Sequence, residues 1–117
     1  MEEQNISEWS MGGSTLGRMN FELMYCNNAR RHQDFDSWWS SLQNLHMEII
    51  PFLNKEENSL HDELRGLCER SVLHYNAEFP TRVLFNNFYK WERTIRIAMD
   101  NKGLLIKKGE SALGAMI

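Results

Sequence analysis

Residues 34–54 read DFDSWWSSLQNLHMEIIPFLN, and this stretch decides the fold. Its apolar residues Phe35, Trp38, Leu42, Leu45, Ile49 and Phe52 recur at intervals of 3, 4, 3, 4 and 3, the spacing that lines one face of an α-helix. Asp34 and Asp36 are N-cap candidates at its start, because a short acidic side chain can accept from the free amides of a first turn. Pro51 removes a helical hydrogen bond, so the helix stops or kinks there. The reading is a helix over 36–53.

The flanking segments repeat this pattern. Upstream, Leu16, Met19, Leu23 and Cys26 mark a first helix over 15–31, with Ser14 or Thr15 as its cap. Downstream, Asn54 and Glu57 have the spacing of a capping box, in which each side chain satisfies the other's backbone amide. They open a third helix over 55–75 that turns Leu60, Leu64, Leu67 and Cys68 inward. Residues Asn76 to Pro80 make the longest connector, and Pro80 or Thr81 starts a fourth helix over 81–102. Leu84, Phe88, Trp91, Ile95 and Ala98 are its inward face. Gly103 suits a left-handed helix end with Leu104 packing back on the last turn.

Only two prolines occur, and between residues 18 and 102 Gly66 is the one glycine, so a turn-rich sheet protein is disfavoured. Short links between helices of similar length make neighbours antiparallel. The expected fold is all-α, a bundle of about four helices, or three with the first laid across them. Residues 1–13 read as a polar arm in which Trp9 and Met11 are the exceptions, and residues 14–117 as one helical-bundle domain. Leu104 to Ile106 and Ala112 to Ile117 are apolar enough to close the bundle or to add to a partner's surface.

Charge is divided along the chain. Residues 1–79 hold 6 Lys/Arg against 13 Asp/Glu, whereas residues 80–108 hold 7 against 2. Such asymmetry marks a binding element or pairs one helix with acidic neighbours. Projected at about 100° per residue, the fourth helix sets Arg82, Asn86, Lys90, Arg93, Arg96 and Asp100 opposite its apolar row, with Tyr89 and Ile97 among them. A charged strip opposite an apolar one is also what an ordinary solvated helix face looks like. Its cations are equally available to acids such as Glu56, Glu57, Asp62 and Glu63 on the third helix. Trp38 and Trp39 are adjacent on the second helix, so either one sits at an edge or interface, or a broad apolar face holds both.

Catalytic and metal chemistry find no support in the spacing. The four histidines, His32, His46, His61 and His74, lack the Glu three residues before that a di-metal bundle needs, and there is no H-E-x-x-H or paired-cysteine set. Cys26 and Cys68 fall on apolar faces, where thiols are inert. Gly12-Gly13-Ser14-Thr15 loosely resembles an anion-binding helix start, but it lacks the strand and lysine of a phosphate loop. No run is long and apolar enough to span a bilayer, and the acidic N-terminus is unlike a secretory signal. Two cysteines make no disulfide framework. These features fit a cytoplasmic protein of a size common among phage and plasmid products.

The expected function is a small non-catalytic interaction protein, an adaptor, inhibitor or assembly subunit that binds a protein partner or a second copy of itself. It needs no cofactor or metal and no membrane. The interaction face is Arg82, Tyr89, Lys90, Arg93, Arg96 and Ile97, together with the exposed member of the Trp38–Trp39 pair. The alternative is a nucleic-acid-associated regulator using Arg82, Lys90, Arg93 and Arg96. Four clustered cations are few beside the roughly 6–10 phosphate contacts of a strong duplex binder.

Overall fold

The computed structural model describes residues 14–74 and 81–106. Within them are four α-helices and no strand: α1 (Ser14–His32), α2 (Phe35–Ile49), α3 (Lys55–Leu73) and α4 (Thr81–Asn101). The fold is an all-α bundle. The expected arm at 1–13, the connector at 76–80 with Tyr75 before it, the Gly12-Gly13 start and the tail from Ala112 lie outside the described residues.

Local chemistry sets the helix ends. Gln33 takes a left-handed turn at φ 54°, and Asp34 then caps α2, its carboxylate accepting from the Ser37 amide at 3.2 Å and from the Ser37 hydroxyl at 2.8 Å. These two bonds, the hydroxyl first, hold the Asp34 carboxyl below its ordinary range. The α2 helix stops at Ile49, earlier than 53. Pro51 lies in a single 3-10 turn, Ile50–Phe52, because its ring cannot donate to the preceding turn. That turn leaves Phe52 exposed, so the apolar row ends at Ile49. The Asn54–Glu57 capping box is formed in both directions, at 2.8 and 2.9 Å.

The α4 helix ends in a Schellman turn. Gly103 has φ 71°, the Leu104 amide donates to the Met99 carbonyl at 2.8 Å and the Gly103 amide to that of Asp100 at 3.2 Å. Only a glycine takes this backbone without penalty. Leu104 and Leu105 then pack against the core.

Long-range contacts give the arrangement. Arg18 meets Glu48 across α1 and α2, while Arg30 of α1 meets Glu92 of α4 and Asn20 meets Leu104, just past the end of α4. Lys102 meets Glu57, and Asn87 meets Ser71, across α3 and α4. Arg18 lies near the start of α1 and Glu48 near the end of α2, and the other two sets run in opposite residue order, so α1 is antiparallel to α2 and α4, and α3 is antiparallel to α4. The fourth helix packs against all three others.

The core is built from Met19, Leu23 and Cys26 of α1, Trp38, Leu42, Leu45 and Ile49 of α2, Leu64 and Cys68 of α3, and Leu84, Phe88, Trp91, Ile95 and Met99 of α4. Trp38 meets Phe85 and Phe88 edge-to-face at 5.1 and 5.2 Å, the preferred geometry of aromatic pairs. One inward assignment is corrected. Leu60 is exposed and His61 takes the buried place, because the row His61, Leu64, Cys68 and Ser71 is the one facing the core.

The chain leaving α4 is tied back to α1. Asn20 donates to the Leu104 carbonyl at 3.0 Å and accepts from the Ile106 amide at 2.9 Å. Its side-chain amide thereby satisfies two backbone groups that would otherwise face the helix unpaired.

Candidate interaction face

The inward row of α4 is apolar and the opposite side is not. Arg82, Asn86, Lys90 and Arg93 are exposed, as are Tyr89 and Ile97, which keep 43% and 51% of their surface. Asn86, Tyr89, Lys90, Arg93, Thr94 and Ile97 line a depression of about 470 Å³ along the helix. The Thr94 hydroxyl donates to the Lys90 carbonyl at 2.8 Å, turning its polarity into the helix.

The cations of this region fall into two groups. Arg96 lies 3.4 Å from Glu92, which also takes Arg30 of α1. Lys102 is bound to Glu57 at 2.8 Å. Arg82, Lys90 and Arg93, by contrast, make no ion pair among the described residues. From α1, Arg30 lies over the Tyr89 ring, 5.3 Å from its centre, a cation–π placement that braces the tyrosine.

Glu92 is the residue that sequence reasoning missed. It is 1% exposed, yet its carboxylate accepts from the Trp38 indole at 2.9 Å, from Arg30 and from Arg96. A signal was present: Phe88, Glu92, Ile95 and Met99 are spaced 4, 3 and 4 apart, so the acid stands in an inward row. Ion pairing and hydrogen bonds offset the cost of burying it.

The tryptophan pair divides. Trp38 is fully buried and spends its indole on Glu92, so it is no contact residue. Trp39 is half-buried and lies on Phe88 and Trp91 at 5.6 and 6.0 Å. Those two residues belong to the inward side of α4. Trp39 thus packs on the inward side of α4, while Arg82, Lys90 and Arg93 are exposed.

Cys26 and Cys68 are buried and free; burial pushes the Cys68 thiol up to about 12 and that of Cys26 further upward. Among the described residues no three of His, Cys, Asp and Glu are placed to hold a metal ion, and no helix is long and apolar enough to cross a membrane.

Comparison of this chain with protein-family models, with curated proteins and with solved structures returns no match.

Proposed function

We propose that this chain is a small non-catalytic interaction module that docks an acidic protein segment on the outer face of α4. The observation that carries the reading is the set Arg82, Lys90 and Arg93, three cations without an ion pair among the described residues of a chain whose net charge is −3. Where geometry allows, this molecule pairs its charges, as Lys102 does with Glu57 and Arg30 with Glu92. Three cations left open around exposed Tyr89 and Ile97 fit a partner that brings carboxylates and one apolar side chain. Complementary charge speeds encounter and sets register, while the apolar pair supplies desolvated contact. The role is that of an adaptor, inhibitor or assembly subunit, in the cytoplasm, where its two thiols stay reduced.

The competing reading takes phosphates on the same face. Arg96 is drawn toward Glu92, which leaves three open cations and shortens an already small set beside the roughly 6–10 contacts of a strong duplex binder.

The test uses the full chain and two labelled probes, followed by fluorescence anisotropy at low and at physiological salt. One probe is a synthetic amphipathic peptide with glutamates flanking a leucine; the other is a DNA duplex. Saturable peptide binding that survives physiological salt, and is lost on Lys90→Glu with Arg93→Glu while thermal stability is kept, is the expected result. Preference for the duplex, or no binding to either probe at low salt, overturns the proposal.

A further inference from the structure

His46 of α2 and His61 of α3 are 4% and 1% exposed, and their rings stack with centroids 6.0 Å apart and planes within 7°. Trp91 of α4 meets the His46 ring edge-on at 5.3 Å. Three ring nitrogens here, His46 Nε2, His61 Nδ1 and Trp91 Nε1, are buried without a hydrogen-bond partner. Helices α2 and α3 each pack on α4 far more than on each other, so beyond the 50–54 link this pair is a main direct contact between them. Its chemistry suits neutral rings and not charged ones.

We propose that the stacked His46–His61 pair is an acid-sensitive latch: neutral, it closes α2 against α3 over Trp91; doubly protonated, it drives the two helices apart. The inference is independent of the reading of the α4 face.

The charges around the pair are few. Asp62 of α3 brings a carboxylate oxygen to 4.0 Å from His46 Nε2, but its side chain is 55% exposed and its field is screened by water. Arg65, also on α3, opposes a charge on His46. Glu57 favours a charge on His61, but Lys102 from the end of α4 binds that carboxylate and opposes it. On α2, Glu48 is turned to Arg18 of α1. Asp62 favours a proton on either ring and Glu57 one on His61, but burial outweighs both, and Arg65 and Lys102 oppose them. A second proton would set two cations face to face, with the nearest acids either exposed to water, as Asp62 is, or already bound to Lys102, as Glu57 is.

Burial, first, holds both imidazoles below the ordinary histidine range, and the neighbouring His46 lowers His61 further. The sign follows from linkage. A depressed histidine leaves the fold fully stable above the unfolded value of about 6.5, and stability falls as pH drops below it, because the unfolded chain takes up protons first.

The test is urea unfolding of the full chain from about pH 7.5 to about pH 5.5, the range in which histidine charge changes. With both histidines the unfolding constant should rise toward about a hundredfold per pH unit at its steepest, and only about tenfold in His46→Gln or His61→Gln, one proton having been removed. In parallel, ring-proton NMR and amide exchange on the unmodified chain should show both rings titrating together below the ordinary range. Exchange should rise at the end of α2 and the start of α3. Rings that titrate independently near the ordinary value, or an unfolding constant indifferent to pH over this range, overturn the proposal. The NMR arm decides it even where a glutamine variant does not fold.

Discussion

Glu92 shows how one side chain joins three helices. Its carboxylate collects Arg30 of α1, Trp38 of α2 and Arg96 of its own helix at 1% exposure. Breaking a buried pair from one side leaves the other charge uncompensated, so Glu92→Ala should lower unfolding free energy by about 3 kcal/mol, measured by urea denaturation. Arg96→Ala, at the half-exposed edge, should lower it by no more than about 1 kcal/mol. The two thiols give a second expectation at this scale: with their ionised forms suppressed by burial, Cys26 and Cys68 should resist a thiol reagent in the native state and react only on unfolding. The thiols' inward positions were legible from the periodicity. Glu92 and His61 were not, although both stand in inward rows, because what admits a polar side chain to a core is a partner distant in sequence. Arg30 stands 62 residues from Glu92, and no local pattern reports that contact.

At the scale of the element, what was legible is what is local. The Asp34 cap, the Asn54–Glu57 box and the Gly103 ending each depend on a handful of consecutive residues, and each is formed. Asn54→Ala should cost about 1 kcal/mol through the lost cap. An added Cβ at Gly103 meets nothing within 4 Å, so Gly103→Ala isolates the left-handed backbone penalty, about 1 kcal/mol; thermal unfolding checks both. The exchange of Leu60 for His61 could not be read the same way. Neighbouring residues are separated by about 100° on the helix, and which of them turns inward is set by the helix opposite, here by the His46 ring. Phe52 escaped for a simpler reason: periodicity counts positions and ignores the turn that Pro51 imposes.

For the molecule as a whole, the divided charge becomes an arrangement in space. The basic fourth helix packs on all three others, yet only some of its cations turn to the acids around it. Charge reversal at Lys90 and Arg93, exposed and without an ion-pair partner among the described residues, should leave stability within about 0.5 kcal/mol while changing what the surface attracts. A urea midpoint beside the peptide titration separates the two effects. The bundle class followed from periodicity, but the pairing of helices did not, since amphipathic segments of similar length can be ordered in several ways.

The Asn20 clasp has a consequence for the order of assembly. It joins α1 to backbone groups 84 and 86 residues further along. The first two helices can meet early, because a two-residue link separates them. Their hairpin stays open on one side until the chain past α4 arrives to fill the waiting amide. Contacts that close such long loops are slow to form. During synthesis, therefore, the first helix can pair early with the second but is clasped only after the chain past α4 has emerged.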